Sequence, residues 1–315
     1  MSKVTIIIPA RGHAELPFLS NTVDSLFDNA AGDIEVIVVL DAYWPSPPLT
    51  DRKNQVIIHR SSVGGMRKSI NTGAAIASGD YLMKLDCHCA VGPGFDQILA
   101  ADCEDNWLAV PSRYSLEPAT WQPTRGPVDY LYLTFPYNLD DMFGTGFHGK
   151  KWKGPGGFTG EFFYMENERK EYLIDDILTF QGSSWFMPKK LFFTIGGLDE
   201  KNYNFHQEAQ ELGFKTWLSG GRCVRNKKTW YAHLHKGSRF QRGFRMSKRL
   251  MIESEIFSTD YWMNNRWPQQ TRKLDWLIEN FYWWPLEGWP EDWQDPRYAA
   301  DFIHPSIAKR KAASQ

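Results

Sequence analysis

Val4 to Pro9 is a short, almost wholly apolar run rich in Ile, the pattern of a strand covered on both faces. The period then changes: Leu19, Val23, Leu26 and Phe27 stand at i, i+4, i+7 and i+8, which makes one apolar stripe of a helix. Ile34 to Leu40 reads as a second buried strand ending at Asp41, and Val56 to Ile58 as a short third. Met66, Ile70, Gly73 and Ala77 recur at helical spacing, Ser78-Gly79-Asp80 breaks the pattern, and Tyr81 to Leu85 predicts a fourth strand ending at Asp86. Strands alternating with helices need crossover connections, so the fold class is α/β with a mostly parallel sheet flanked by helices. Ligands of such sheets bind beyond the carboxyl ends of the strands, which places Asp41 and Asp86 on one crevice.

The second half is less regular. Residues 111–180 read as a loop-rich insertion, with Pro111, Pro118, Pro123, Pro127 and Pro136 and a glycine cluster at Gly154, Gly156, Gly157 and Gly160. Ser184 to Met187 returns as a strand, and Lys189 to Ile195 as a short helix closed by Gly196-Gly197. Gln207 to Leu218 follows as a helix ending at Gly220-Gly221, Trp230 to His233 as a strand, and Met246 to about Ser258 as an amphipathic helix. The predicted division is a main domain over 1–258 and an aromatic-rich extension over 259–315. Trp267-Pro268, Trp284-Pro285 and Trp289-Pro290 are expected to wrap back over the domain, and the tail from about 305 is expected to be flexible.

Charge narrows the classes. Lys plus Arg number 36 against 37 Asp plus Glu, a net charge of −1, which excludes a globally basic nucleic-acid coat. The 14 Trp are the departure from ordinary usage, and their concentration after residue 216 marks an unusual packing or binding surface. Cys87, Cys89, Cys103 and Cys223 lack CxxC spacing and are too few for a disulfide framework, so they read as reduced thiols. No apolar run approaches the roughly 20 residues that span a bilayer, and the first residues lack a leader pattern. A cytoplasmic location without a membrane partner is the expectation.

The strongest local chemistry is Leu85-Asp86-Cys87-His88. A carboxylate and an imidazole two positions apart at a strand end project to one side and can grip a divalent cation, and the mixed oxygen and nitrogen set suits Mn²⁺ better than Ca²⁺. Alone, the same residues also fit a strand-end cap beside an incidental histidine. Glu208 and Glu211 lie three apart on a helix and share one face.

Context decides between these readings. Ser62-Val63-Gly64-Gly65-Met66-Arg67-Lys68-Ser69-Ile70-Asn71-Thr72-Gly73-Ala74-Ala75 precedes the Ser-Gly-Asp turn, the fourth strand and Asp86-Cys87-His88. Gly182-Ser183-Ser184-Trp185-Phe186, Ile195-Gly196-Gly197-Leu198-Asp199, Glu208-Ala209-Gln210-Glu211 and Trp217-Leu218-Ser219-Gly220-Gly221 follow in order. The series resembles GT-A fold glycosyltransferases of family 2, and most closely the polypeptide N-acetylgalactosaminyltransferases, whose metal motif is Asp-x-His. It covers residues 4 to about 258 with gaps and leaves the insertion and the Trp-rich extension unexplained.

The resemblance implies a Rossmann-like nucleotide-diphospho-sugar transferase with a nucleotide-binding half over 1–110, and an acceptor half with a lid over 181–258. It implies a metal-dependent transfer from a nucleotide-sugar donor, a UDP-sugar, to an acceptor hydroxyl, with Mn²⁺ or Mg²⁺ as cofactor. Asp86 and His88 match the metal pair, and His233 the third ligand, with His235 as competitor on the same side of its strand. Asp41 matches the acid that contacts the nucleotide, although Leu40 stands where relatives carry a second acid. Arg67 or Lys68 would approach the donor, together with His235 and Arg239, and Gly182 and Ser183 match the small residues beside the sugar. Glu208 matches the acceptor-side acid, with Glu211 beside it as a second catalytic candidate. Ala209 occupies the place of the usual general base, so either Glu208 takes the proton or the leaving phosphate does, with retention of configuration.

Lys236, Arg239, Arg242, Arg245, Lys248 and Arg249 put six cations into fourteen residues without an acid. This stretch fits a lid over the diphosphate, or a docking strip for DNA whose extruded, hydroxymethylated pyrimidine would receive the sugar. Acceptor glycan, protein and DNA stay open, as does a non-catalytic sugar or nucleic-acid binding protein on the same scaffold. A sugar-phosphate nucleotidyltransferase is disfavoured, because Pro9-Ala10-Arg11-Gly12-His13 has too few glycines for its phosphate loop.

Overall fold

The computed structural model describes residues 2–12, 16–136, 146–150, 169–203, 205–235, 247–281 and 289–294. The glycine cluster at 154–160, Arg239 and the cations up to Arg245, Trp284-Pro285 and the tail from 305 lie outside the described residues. Within these bounds the apolar runs become strands. They are β1 (Val4–Ala10), β2 (Ile34–Asp41), β3 (Gln55–Arg60) and β4 (Tyr81–Leu85), all mutually parallel in the order β3-β2-β1-β4. Helices α1 (Leu16–Asn29) and α2 (Gly65–Ile76) supply the crossovers the pattern requires.

Beyond β4 the sheet turns mixed. β11 (Ser184–Pro188) runs antiparallel to both β4 and β6 (Trp107–Glu117), and β12 (Arg222–His233) returns parallel to β6. β10 (Ile174–Asp176) closes that edge. Short β5 (Cys89–Val91) pairs with the far end of β12, and α3 (Phe95–Asp102) follows it. A separate two-stranded sheet joins β8 (Tyr132–Leu133) to β9 (Gly149–Lys150). α4 (Lys189–Thr194), α5 (Glu208–Leu218), α6 (Lys248–Met263) and α7 (Leu274–Asn280) complete the described helices.

Two expectations need correction. The loop-rich reading of the insertion fails at its start, because β6 extends to Glu117 and β7 (Gln122–Val128) folds back on it antiparallel. Pro123 and Pro127 mislead there. Among the described residues β7 pairs with β6 alone, and on an edge strand every second N–H points away from the partner, where a proline costs no ladder bond. The strand expected over Trp230 to His233 is also only the end of β12, whose earlier residues Arg225, Asn226, Lys227 and Lys228 hide it from an apolar count.

Among the described residues one large core dominates, with a small satellite cluster of Ala90, Leu116, Ala232 and Leu234. The large core joins β1, β2 and β4 to Trp262, Trp267, Leu274, Leu277 and Phe281, so the beginning of the Trp-rich extension is ordinary core. Trp289 donates its indole N–H to the Leu133 carbonyl at 2.7 Å, which brings this described part of the extension back onto β8. The four cysteines are buried and none is in a disulfide. No described helix is long and apolar enough to cross a membrane.

α2 lies close against β1 because residue 73 has no side chain: a Cβ there would meet Ile7 Cγ2 at 2.7 Å, and Ile7 is fully buried. Gly73→Val is therefore expected to lower stability by about 1–3 kcal/mol through overpacking. Denaturant unfolding checks this, with a lower midpoint at an unchanged slope as the signature of strain in the folded state.

Candidate active site

The site gathers at the carboxyl ends of β4 and β12. β4 delivers Asp86 just past its last residue, where the Asp86 N–H donates to the Ser183 carbonyl at 2.9 Å. The chain then turns and enters β5, whose register sets Cys89 opposite His233 on β12, and Leu234 N–H donates to the His88 carbonyl at 3.0 Å. A three-residue strand thus brings His88 beside a histidine 145 positions later.

Their ring nitrogens converge. His88 Nε2 lies 3.0 Å from His233 Nε2, and Asp86 Oδ2 lies 3.3 Å from His233 Nε2 and 3.8 Å from His88 Nε2. Burial pushes the His233 imidazole down to about 3, so it is neutral at ordinary pH and offers a lone pair. His235, the competing ligand, goes elsewhere: Arg113 Nη1 sits 2.8 Å from its Nε2, and an always-protonated guanidinium consumes that lone pair.

Asp86 divides its oxygens. Oδ2 faces the imidazoles, whereas Oδ1 accepts from Lys84 Nζ at 2.7 Å. Lys84 is 1% exposed, donates also to the Gly182 carbonyl, and lies 3.5 Å from Glu208 Oε2. Burial alone would lower its pKa, but the Asp86 and Glu208 carboxylates outweigh that and hold it raised and charged. Asp86 in turn sits well below the usual carboxylate range: desolvation opposes its charge, and Lys84 first, then the two histidines, overcome the opposition.

Glu208 opens α5 and is buried against the same lysine. Its Oε1 accepts the Trp185 indole N–H at 2.7 Å, and burial raises its pKa despite Lys84. Trp185 and Lys84 are cross-strand partners on β11 and β4, so their side chains share one face of the sheet and reach one carboxylate together. Gly182 permits the approach, since a Cβ there would meet Glu208 Oε2 at 3.1 Å. Ser183 is buried and pairs its hydroxyl with Tyr231 Oη at 2.8 Å.

The remaining predicted residues that are described lie around this centre rather than in it. Asp41 spends both oxygens on α2, accepting the N–H of Gly64 at 2.7 Å and of Gly65 at 2.9 Å, a carboxylate cap supplied from β2 to a helix N-terminus. Arg67 is buried: it bonds Glu211 and the His206 carbonyl, and lies over the Tyr203 ring at 4.4 Å. Lys68, one residue on, is exposed. Glu211 is fully buried, its other oxygen taken by Lys215 Nζ at 2.6 Å and the Asp199 N–H at 2.9 Å. The two glutamates expected on one helix face therefore diverge, Glu208 toward Lys84 and Glu211 toward Arg67 and Lys215.

Lys84, Trp185 and Tyr231 escaped sequence reasoning. Lys84 had a signal, a lone cation inside the apolar strand Tyr81–Leu85. A buried lysine needs carboxylates, and two of them flank it.

Comparisons with known proteins give the family and the fold of this chain. The model of the family described as glycosyl transferase family 2 matches residues 5–167. The chain is 24% identical over 213 residues to polypeptide N-acetylgalactosaminyltransferase 3 of Mus musculus, across 66% of this chain and 31% of that protein. It is 23% identical over 273 residues to polypeptide N-acetylgalactosaminyltransferase 3 of Homo sapiens, across 82% of this chain and 41% of that one. It thus spans less than half the length of these curated relatives. The crystal structure of GalNAc-T7 with UDP, GalNAc and Mn2+ superposes with a TM-score of 0.64 at 16% identity, covering 91% of this chain and 58% of that chain, which is likeness of fold.

Removing Arg67 would leave Glu211 buried with one cation fewer. Arg67→Met is expected to cost about 3–5 kcal/mol, while the exposed neighbour change Lys68→Met stays within roughly 0.5 kcal/mol. Thermal and denaturant melts of the two variants side by side check the contrast, and equal costs would contradict the buried pair.

Proposed function

The chain belongs to glycosyltransferase family 2, and from that premise we propose that it transfers a sugar from a UDP-linked donor to an acceptor hydroxyl with the help of a divalent cation. The observation that carries this is the convergence of Asp86 Oδ2, His88 Nε2 and His233 Nε2 within 3.0–3.8 Å of one another. These separations fit a shared ion. Ligands about 2.1 Å from one metal stand about 3.0–3.4 Å apart along the edges of an octahedron or tetrahedron. Two imidazoles and a carboxylate make a set that accepts Mn²⁺.

Bound there, the cation would neutralise the donor's diphosphate and make it a better leaving group. The protein's own residues do the rest. Lys84 holds Asp86 ionised and aimed by taking Oδ1, and adds its own positive charge behind the carboxylate. Ser183 and Gly182 keep the backbone tight beside Asp86, through the Ser183 carbonyl and the Lys84 bond to Gly182. Glu208, committed to Trp185 and Lys84, orients the acceptor side rather than roaming as a base. Ala209 offers no base either. The acceptor proton then goes to the donor's departing phosphate, which leads to retained anomeric configuration. Glu211 and Arg67 are assigned a positioning role, because each is neutralised by the other beneath the site. The complete set of Asp86, His88, His233, Lys84 and Glu208 favours a working enzyme over a binding protein on the same scaffold, since a decayed site has no reason to keep a buried cation between two carboxylates.

The test is release of UDP from a panel of UDP-sugars, with an oligosaccharide, a peptide and hydroxymethylated DNA as acceptors. Turnover should need Mn²⁺, vanish with chelator, and fall at least about 100-fold in Asp86→Ala, since even outer partners of metal ligands cost about 10–100-fold. Undiminished turnover of Asp86→Ala in chelator would refute the reading.

A further inference from the structure

Away from Asp86, a second group of metal-ligand types meets where three distant stretches of chain come together. His206 Nδ1 lies 3.3 Å and His148 Nε2 3.7 Å from the same oxygen, Glu255 Oε1, and the three ligand atoms all fall within 4.8 Å of one another. His148 stands just before β9, His206 two residues before α5, and Glu255 within α6. We propose that these residues form a second divalent-metal site, of the Zn²⁺ type, which clasps α6 and the β8–β9 hairpin to the start of α5.

Distance is the first argument. A charge-assisted bond between imidazolium and carboxylate closes to about 2.7–2.9 Å, and neither histidine comes that near. Ligands of a tetrahedral Zn²⁺ at about 2.0–2.1 Å stand about 3.4 Å apart, between the two observed values. The Asp86 centre and this group each keep three ligand atoms within 4.8 Å of one another, and they share no residue.

The second argument is that the ligands are held in place independently of any ion. Gln207, buried at 4% exposure, donates its amide N–H to the Phe147 carbonyl at 2.6 Å and accepts from the Ser258 hydroxyl at 3.1 Å. One side chain thereby ties the neighbour of His148, the neighbour of His206, and a residue one helical turn from Glu255. The His148 N–H donates to Thr134 Oγ1 at 2.9 Å, and the His206 carbonyl accepts from the buried Arg67 at 2.8 Å. Gly146 has φ +89°, and a Cβ there would meet Glu255 Cβ at 2.8 Å, so α6 can approach only because that residue is glycine.

Access is the third. Glu255 is 4% exposed, whereas His206 and His148 are 17% and 19% exposed, so the carboxylate is buried and the imidazoles are partly accessible. Three protein ligands of mixed nitrogen and oxygen type, two of them partly accessible, suit a borderline cation. The chemistry implied is structural. His206 and Glu208 are two positions apart, so a metal at the clasp would fix the point from which α5 presents Glu208. The proposal does not depend on the donor reading, because it concerns different ligands.

The full chain, stripped of metal by chelation, tests this against Zn²⁺ alone. Asp86→Asn/His88→Asn removes the first centre, and it should still bind one equivalent of Zn²⁺ by calorimetry and melt several degrees higher with it. Adding Glu255→Gln should abolish both effects. Zinc binding that survives Glu255→Gln in that background, or no binding in the Asp86/His88 variant, overturns the proposal. A measurement on the unmutated chain guards against misfolding of variants: Zn²⁺ should suppress diethyl pyrocarbonate modification of His148 and His206 at least about 10-fold by peptide mass spectrometry, as a ring nitrogen bound to metal is no longer nucleophilic. Unchanged modification of both histidines would equally defeat it. Failure of the clasp leaves the Mn²⁺ dependence at Asp86 untouched, and the reverse also holds.

Discussion

Lys84 sits between two carboxylates at the end of a strand that is otherwise apolar, and the candidate site is built around that one buried charge. Desolvating an ammonium is expensive, and only Asp86 on one side and Glu208 on the other make it tolerable. The same bonds give the carboxylates their characters. Asp86 stays ionised with one oxygen free for its histidines, while Glu208, deeper and farther from the lysine, is pushed toward its neutral form. A single cation therefore separates two like groups into different chemical roles, as a shared site must when its acids stand close together.

A second buried network supports the first from below. Arg67, Glu211 and Lys215 run from α2 to α5, and the Arg67 bond to the His206 carbonyl fixes the turn that precedes α5. Asp41 starts α2 by capping it, so α2 is held to β2 at its N-terminus and to α5 through Arg67, each by charge-assisted bonds. Asp41 and Arg67, which the resemblance would assign to the donor, are in this respect framework. Their polar atoms are spent within the protein, and their contribution to chemistry is the position of what lies above them.

Much of the frame was legible. Strands β1, β2 and β4 and helix α2 follow from period and from uninterrupted apolar runs, because a parallel sheet covered on both faces leaves that pattern in the chain. Reading failed where local rules have a tertiary exception. Prolines on β7 are harmless only because that strand is an edge, and the polar middle of β12 is stable only because Arg225 reaches the carbonyls of Asp129 and Pro111, while Asn226 reaches Asp102. Neither fact can be seen from neighbouring residues.

What the sequence determined by itself was the ordered set of motifs: Asp86 two residues before His88, Glu208 at the mouth of a helix, and glycines where backbones must come close. These depend on spacing along the chain, and spacing is what a sequence records. Which histidine meets Asp86 and His88, which glutamate turns toward Lys84, and the meeting of His148, His206 and Glu255 were decided only on folding. Each depends on register between segments tens to more than a hundred positions apart, and a shift of one residue in that pairing would turn every side chain to the opposite face.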